Sequence, residues 1–205
     1  MSKLYFRYGT MDSSKTARLL MDAHEYIQRG EEVLLLKPSD DDRWDNAQIV
    51  SRIGLKGDCV VVGKSGDVYN VIANLNFSPA CILVDEAQFF TEEQILQLRR
   101  VADRLDIPVM CYGLKVTFQG KLFEGSKALF ENANVIEEVK TICRAEGCRN
   151  KAMYNVRYVN GKPVLDGDIV EMGDTAESNE IYYLPKCSIH FFNDISKANS
   201  LQGGK

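Results

Sequence analysis

The chain has 205 residues, 25 basic and 29 acidic, for a formal net charge of −4 at pH 7. At 45% hydrophobic and 26% charged it is neither disordered nor fibrous, and it is long enough for one domain with a real core, or one domain with a small appendage. The acidic balance argues against a protein that lives on nucleic-acid phosphates. No apolar run approaches the ~20 residues that cross a bilayer, and the N-terminus lacks the basic-then-apolar layout of an exported chain, so a cytoplasmic location with neither membrane nor nucleic-acid partners is expected.

In chain order, short apolar runs alternate with helical segments as far as about residue 140. The runs are Leu4–Tyr8, Val33–Leu36, Cys59–Val62, Ala80–Val84, Pro108–Tyr112 and Val135–Ile142. Ile82-Leu83-Val84 is apolar without alternation, the pattern of a strand covered on both faces. Between the runs, Lys15–Arg29 carries Leu19, Leu20, Ala23 and Ile27 at helical spacing and stops at Gly30, a common residue just past a helix end. Thr91–Leu105 opens with a capping box, Thr-Glu-Glu-Gln, ahead of Ile95, Leu98, Val101, Ala102 and Leu105 on one face. Strands alternating with helices predict an α/β fold with a mainly parallel sheet flanked by helices.

After Thr141 the pattern changes. Ala152–Val159 alternates, Asn160-Gly161 is a hairpin-turn signal, and Val164–Met172 reads as the partner strand. Residues 173–180 read as a loop, Ile181–Leu184 as a further short run, and the chain from Lys197 as disordered. The organisation predicted is a nucleotide-binding domain over 1–140, a small β-rich domain over 141–195 that needs a staple because it can hold little core, and a disordered tail over 196–205.

Two motifs carry chemistry in the first domain. Gly9-Thr10-Met11-Asp12-Ser13-Ser14-Lys15-Thr16 lies between a strand and a helix and matches the phosphate-loop pattern GxxxxGK[ST] except at Ser14, where a glycine would stand. Such a loop aims backbone N–H groups and a helix N-terminus at phosphate oxygens, while Lys15 reaches the β/γ-phosphates and the Thr16 hydroxyl reaches Mg²⁺. If the Ser14 backbone is left-handed, the side chain costs roughly 1–2 kcal/mol; if it is ordinary, only the extra atoms near the phosphate matter. The second motif ends an apolar strand with Asp85-Glu86, at the strand edge where α/β sheets bind ligands. Asp85 suits the metal side and Glu86 suits a general base toward a hydroxyl or water. A further segment, Tyr112–Gly125, mixes glycines with Phe118 and Phe123 and could hold a planar ligand by stacking.

The six cysteines divide into two groups. Cys59, Cys81 and Cys111 sit in or beside apolar runs and read as small buried hydrophobes. Cys143-x4-Cys148 and Cys187-x2-His190 supply three thiolates and one imidazole, the donor set of a tetrahedral structural zinc site that would tie the two ends of the small domain together.

Taken together, GTMDSSKT, SRIGL at Ser51–Leu55, LVDEAQFF, DIPVMCYGL, TFQGKLFEG and the Cys187/His190 end resemble the zinc-containing thymidine kinases shared by bacteria and the animal cytosol, over roughly residues 3–192. The resemblance implies a P-loop, RecA-like sheet with a C-terminal zinc and lasso domain. It also implies transfer of the γ-phosphate of ATP to the 5′-hydroxyl of thymidine, with Mg²⁺ and structural Zn²⁺ as cofactors. On the matching positions Gly9–Thr16 and Arg52 hold phosphates, Thr16 and Asp85 support Mg²⁺, and Glu86 is the base. Gln88, Phe118, Phe123 and a lasso tyrosine, Tyr182 or Tyr183 with Tyr183 preferred, bind the nucleoside. Cys143, Cys148, Cys187 and His190 bind zinc. A homotetramer inhibited by thymidine triphosphate is also implied. The chain departs from the family pattern at Ser14, at Thr117 (commonly aspartate), in the length of 174–183 and in the wide first cysteine pair.

Two other readings fit part of the sequence. A nucleic-acid-stimulated ATPase shares the Asp-Glu-Ala-Gln box, but it would need a second motor domain or a basic track. A non-catalytic nucleotide or zinc module would leave the set Lys15, Thr16, Asp85 and Glu86 unexplained.

Overall fold

Alternation within the strands decides which side chains meet on each face of the central sheet. In the computed structural model, which describes residues 1–39, 47–167 and 180–202, the chain divides into two units. The first comprises 1–8, 14–114 and 123–138; the second comprises 9–13, 115–122 and 139–205.

In the first unit the elements follow as β1 (Leu4–Gly9), α1 (Lys15–Gln28), β2 (Val33–Pro38), β3 (Gln48–Val50), β4 (Lys56–Asp58), β5 (Val60–Val62), α2 (Val68–Ala73), β6 (Cys81–Val84), α3 (Glu92–Arg100), β7 (Val109–Leu114), α4 (Glu124–Asn132) and β8 (Val135–Glu138). Six strands form one sheet in the order β5-β2-β6-β7-β1-β8, and its assigned pairings β2–β5, β2–β6, β6–β7 and β1–β8 are all parallel. Strands β3 and β4 form a separate antiparallel pair.

The side chains of β6 alternate between two cores. Ile82 and Val84 join Leu34, Leu36, Ile95, Leu98 and Leu129 on one face, whereas Cys81 and Leu83 join Leu35, Leu19, Leu20 and Ala23 on the other. The uninterrupted apolar run therefore has the cause expected for a parallel strand: helices cover both of its faces. Cys59 and Cys111 are buried as well, as small hydrophobes. Arg7 of β1 ties the layers by pairing with Asp22 of α1 and with Glu137 of β8 (2.8 Å), and the Tyr112 hydroxyl donates to the same Asp22.

Helix α3 starts with the expected capping box: the Thr91 hydroxyl accepts from the Gln94 N–H, and the Gln94 side chain accepts from the Thr91 N–H. The segment read as one helix to Leu105 is α-helical only to Arg100. It closes with a π-helical turn, Val101–Leu105, before Asp106 turns left-handed (φ 57°).

The second unit contains β9 (Tyr154–Val159), β10 (Lys162–Val164), β11 (Ile181–Lys186) and α5 (Ser188–Gln202). Its antiparallel sheet has the order β10-β9-β11. Asn160 and Gly161 both have positive φ (48° and 76°), as a two-residue hairpin turn of type I′ requires. The partner strand expected over Val164–Met172 runs from Lys162 only to Val164: residues 165–167 leave the ladder, and the rest of the expected strand, 168–172, like the loop over 173–179, lies outside the described residues. The core here is small and largely aromatic: Val156, Tyr158, Tyr182, Leu184 and Phe191, with Tyr158 stacked on Tyr182 at 5.1 Å. Helix α5 runs through the start of the segment read as a disordered tail, as far as Gln202. It continues there because its inner face stays apolar, with Ala198 buried one turn beyond the half-buried Ile195.

Candidate active site and metal centre

In the first unit the chemistry gathers at the carboxyl ends of parallel strands. Ser14 caps α1 with a left-handed backbone (φ 62°, ψ 27°), so of the two dihedral cases considered for it the costly one holds. Its carbonyl accepts the first helical bond, from the Arg18 N–H at 3.0 Å. Lys15 is buried at the first position of α1. One residue on, the Thr16 hydroxyl donates to Asp85 Oδ1 at 3.3 Å. Asp85 follows β6 and is buried, with its own N–H bonded to the Leu36 carbonyl at 2.9 Å. A hydroxyl and a carboxylate oxygen a few tenths of an ångström beyond the ~2.9 Å edge of a Mg²⁺ octahedron form a pair that could hold this ion directly or through its waters.

Glu86 also has a left-handed backbone, φ 48° and ψ 40°, and is buried. A non-glycine residue held there stores strain, as catalytic positions often do. Gln88 follows two residues later with 2% of its surface exposed. Its Nε2 donates to Glu86 Oε2 at 2.6 Å, and its Oε1 accepts the Leu114 N–H at 2.9 Å. Gly113 makes room for this amide, because a Cβ there would lie 2.7 Å from Gln88 Oε1. Phe123 meets Phe89 edge to face at 5.7 Å. Arg52 stands exposed in the tight turn between β3 and β4, which Ser51 closes by accepting the Leu55 N–H on its hydroxyl at 3.0 Å.

The second unit holds the other half of the loop motif. Gly9 is required as glycine, since a Cβ would come within 2.5 Å of the Val139 carbonyl oxygen. Ser13 donates to the Thr10 carbonyl at 2.8 Å, and Asp12 has φ 60°. The Met11 N–H is taken by Asn155 Oδ1 at 2.9 Å, and Asp12 pairs with Arg144 at 3.3 Å.

Strand alternation separates the two tyrosines of β11. Tyr182 stacks on Tyr158 in the aromatic core, whereas Tyr183 lies 6.3 Å from the Phe118 ring, over which the Arg157 guanidinium also sits at 5.4 Å. Thr117, where an aspartate is common, is buried and accepts the Gln119 N–H at 3.2 Å, so it closes its own turn.

Cys143, Cys148, Cys187 and His190 converge, with all ligand atoms within 4.8 Å of one another. Cys148 and Cys187 sulfurs are 4.0 Å apart, and His190 Nδ1 is 3.2 Å from Cys187 and 3.6 Å from Cys143. Tetrahedral zinc with Zn–S near 2.3 Å separates its sulfurs by about 3.8 Å, so the four donors fit a structural zinc ion. Burial raises the Cys187 thiol, but bonds from the His190 backbone and ring and from the other two cysteines outweigh it and lower the group to about 6, favouring the thiolate that metals bind.

Comparison with known proteins agrees with this layout. The family model described as thymidine kinase matches residues 2–191. The thymidine kinases of Streptococcus agalactiae serotype Ia and Streptococcus pyogenes serotype M3 are each 42% identical to the chain over 94% of its length and 98% of theirs. That of Enterococcus faecalis is 42% identical over 94% of the chain and 96% of its own. The chain belongs to the thymidine kinase family. Within this thymidine kinase fold, sequence reasoning missed Asn155 and Arg144 as supports of the loop. Asn155 stands at a polar position of the alternating strand, on the face opposite Val156 and Tyr158, so nothing local reveals that it is buried or that its partner is Met11.

Proposed function

We propose that the chain transfers the γ-phosphate of ATP to the 5′-hydroxyl of thymidine, giving thymidine monophosphate and ADP. In this reading Glu86 accepts the proton of the 5′-hydroxyl as that oxygen bonds to the γ-phosphorus, and the bond from phosphorus to the β–γ bridging oxygen breaks toward ADP. Lys15 and the Gly9–Thr16 loop hold the phosphates, Arg52 approaches them, and Thr16 and Asp85 hold Mg²⁺, which when bound neutralises phosphate charge. Phe118, Phe123 and Tyr183 flank the base. Cys143, Cys148, Cys187 and His190 hold zinc as a staple. The protein works in the cytoplasm as a homotetramer under feedback from thymidine triphosphate; among the described residues no helix is long and apolar enough to cross a membrane.

The observation that carries the chemistry is the 3.3 Å bond between Thr16 and Asp85, with Glu86 next in the chain, in a member of this family. The test is ADP production by purified protein with Mg-ATP, with and without thymidine. Thymidine-dependent turnover that Glu86→Gln lowers by roughly 10²–10⁴-fold, with nucleotide binding kept, is expected. Turnover that needs DNA instead of thymidine, or near-normal turnover in Glu86→Gln, would overturn the substrate or the base, respectively.

A further inference from the structure

The amide of Gln88 has an orientation that chemistry dictates. The Leu114 N–H can only donate, so the atom 2.9 Å from it must be the oxygen, and the nitrogen is left to face the Glu86 carboxylate at 2.6 Å. Both ends of a side chain with 2% exposure are thus engaged by the protein, one on the last residue of β7 and one on the acid after β6. Gly113 keeps the slot open, and Gly125 lets α4 pack closely, because a Cβ there would come within 2.6 Å of the Ala87 and Phe90 carbonyl oxygens. The backbone around Gln88 is therefore held from two sides, while Glu86, in a left-handed conformation, depends on side-chain bonds to fix its carboxylate.

We infer that Gln88 is a positioning residue: it transmits the rigidity of the β7 end to the carboxylate of Glu86, holding the base oriented and ionised, and it does not bind the nucleoside. This rests on the reading of Glu86 as general base. A hydrogen bond donated to a carboxylate favours its charged form, so loss of the donor raises the pH needed to keep the base ionised.

The discriminating variant is Gln88→Glu. It keeps an acceptor for the Leu114 N–H and so preserves the anchor, but it replaces the donor facing Glu86 with a second carboxylate. Gln88→Met, which removes both bonds, is its companion. In single-turnover phosphoryl transfer the acid limb of the pH–rate profile should move up by about one pH unit in Gln88→Glu. On that limb the rate should fall about tenfold, with KM for thymidine within about twofold of wild type. Gln88→Met, which removes the donor without adding a charge, should move the limb in the same direction by less, and an unmoved limb there overturns the inference too. An unmoved limb in Gln88→Glu overturns the inference, and so does a tenfold rise in KM for thymidine at an unchanged limb, which would make Gln88 a nucleoside ligand. Glu86→Gln measured alongside separates the two claims: full turnover there defeats the base itself, whereas a crippled Glu86→Gln with an unmoved Gln88→Glu limb defeats only the role of Gln88.

Discussion

Ser14 and Glu86 are non-glycine residues in left-handed conformations, one at the start of α1 and one beside Asp85, and they differ in what a glycine would do. At Ser14 the side chain makes no capping bond to α1, so little opposes its removal. Ser14→Gly recovers roughly 1–2 kcal/mol of left-handed strain and gives back about 0.5–1 kcal/mol through the freer unfolded chain. The net gain of about 0.5–1 kcal/mol raises Tm by about 1–4 °C in a chain of this size, readable by calorimetry. A fall in Tm would mean that the serine contributes contacts worth more than its strain. At Glu86 glycine would remove the proposed base, so the strain there serves geometry. The missing second glycine is visible in the sequence, and so is an acid pair closing a strand. The φ values are not, because they follow from closing the loop between β1 and α1 and from the turn after β6.

At the scale of elements, β9 shows how a strand can tether the 9–13 loop and build its own sheet together. Val156 and Tyr158 face the small core, whereas Asn155 is buried and accepts the Met11 N–H. Asn155→Leu keeps the strand's β propensity but leaves that N–H without its acceptor and the loop without a tether. Weaker ADP binding, by about three- to tenfold in a calorimetric titration, is the expected result. Unchanged ADP affinity would show that the loop holds its shape without this bond. The alternation of β9 and the turn at Asn160-Gly161 were legible because period and turn chemistry are local. The tether was not, since its partners lie 144 positions apart. Helix α5 past residue 196 was not legible for a related reason: it follows from the packing of Ile195 and the burial of Ala198, which leave no local signal.

At the scale of the molecule, the α/β class was readable from alternating runs, since the inner strands of a parallel sheet carry that mark, but the order β5-β2-β6-β7-β1-β8 was not, because crossovers leave no local trace. The metal set was readable as well, from donor type and spacing. What the second unit lacks in apolar core the four donors can supply, since they join Cys143 and Cys148 to Cys187 and His190 across the whole β9–β11 sheet. Zinc content near one per chain is therefore expected. On chelation, or in Cys187→Ser, the amides of β9 and β11 should lose hydrogen-exchange protection while those of β6 and β7 keep most of theirs. The pH dependence has a definite sign. Cys187 lies below the ordinary thiol range, so its thiolate favours the folded, metal-binding form above that range, and this contribution fades as pH falls through about 6. Zinc release followed with a chromophoric chelator should accordingly rise as pH drops through 6. Equal protection in β9 and β11 with and without metal would show that the aromatic stack of Tyr158 on Tyr182 holds the sheet unaided.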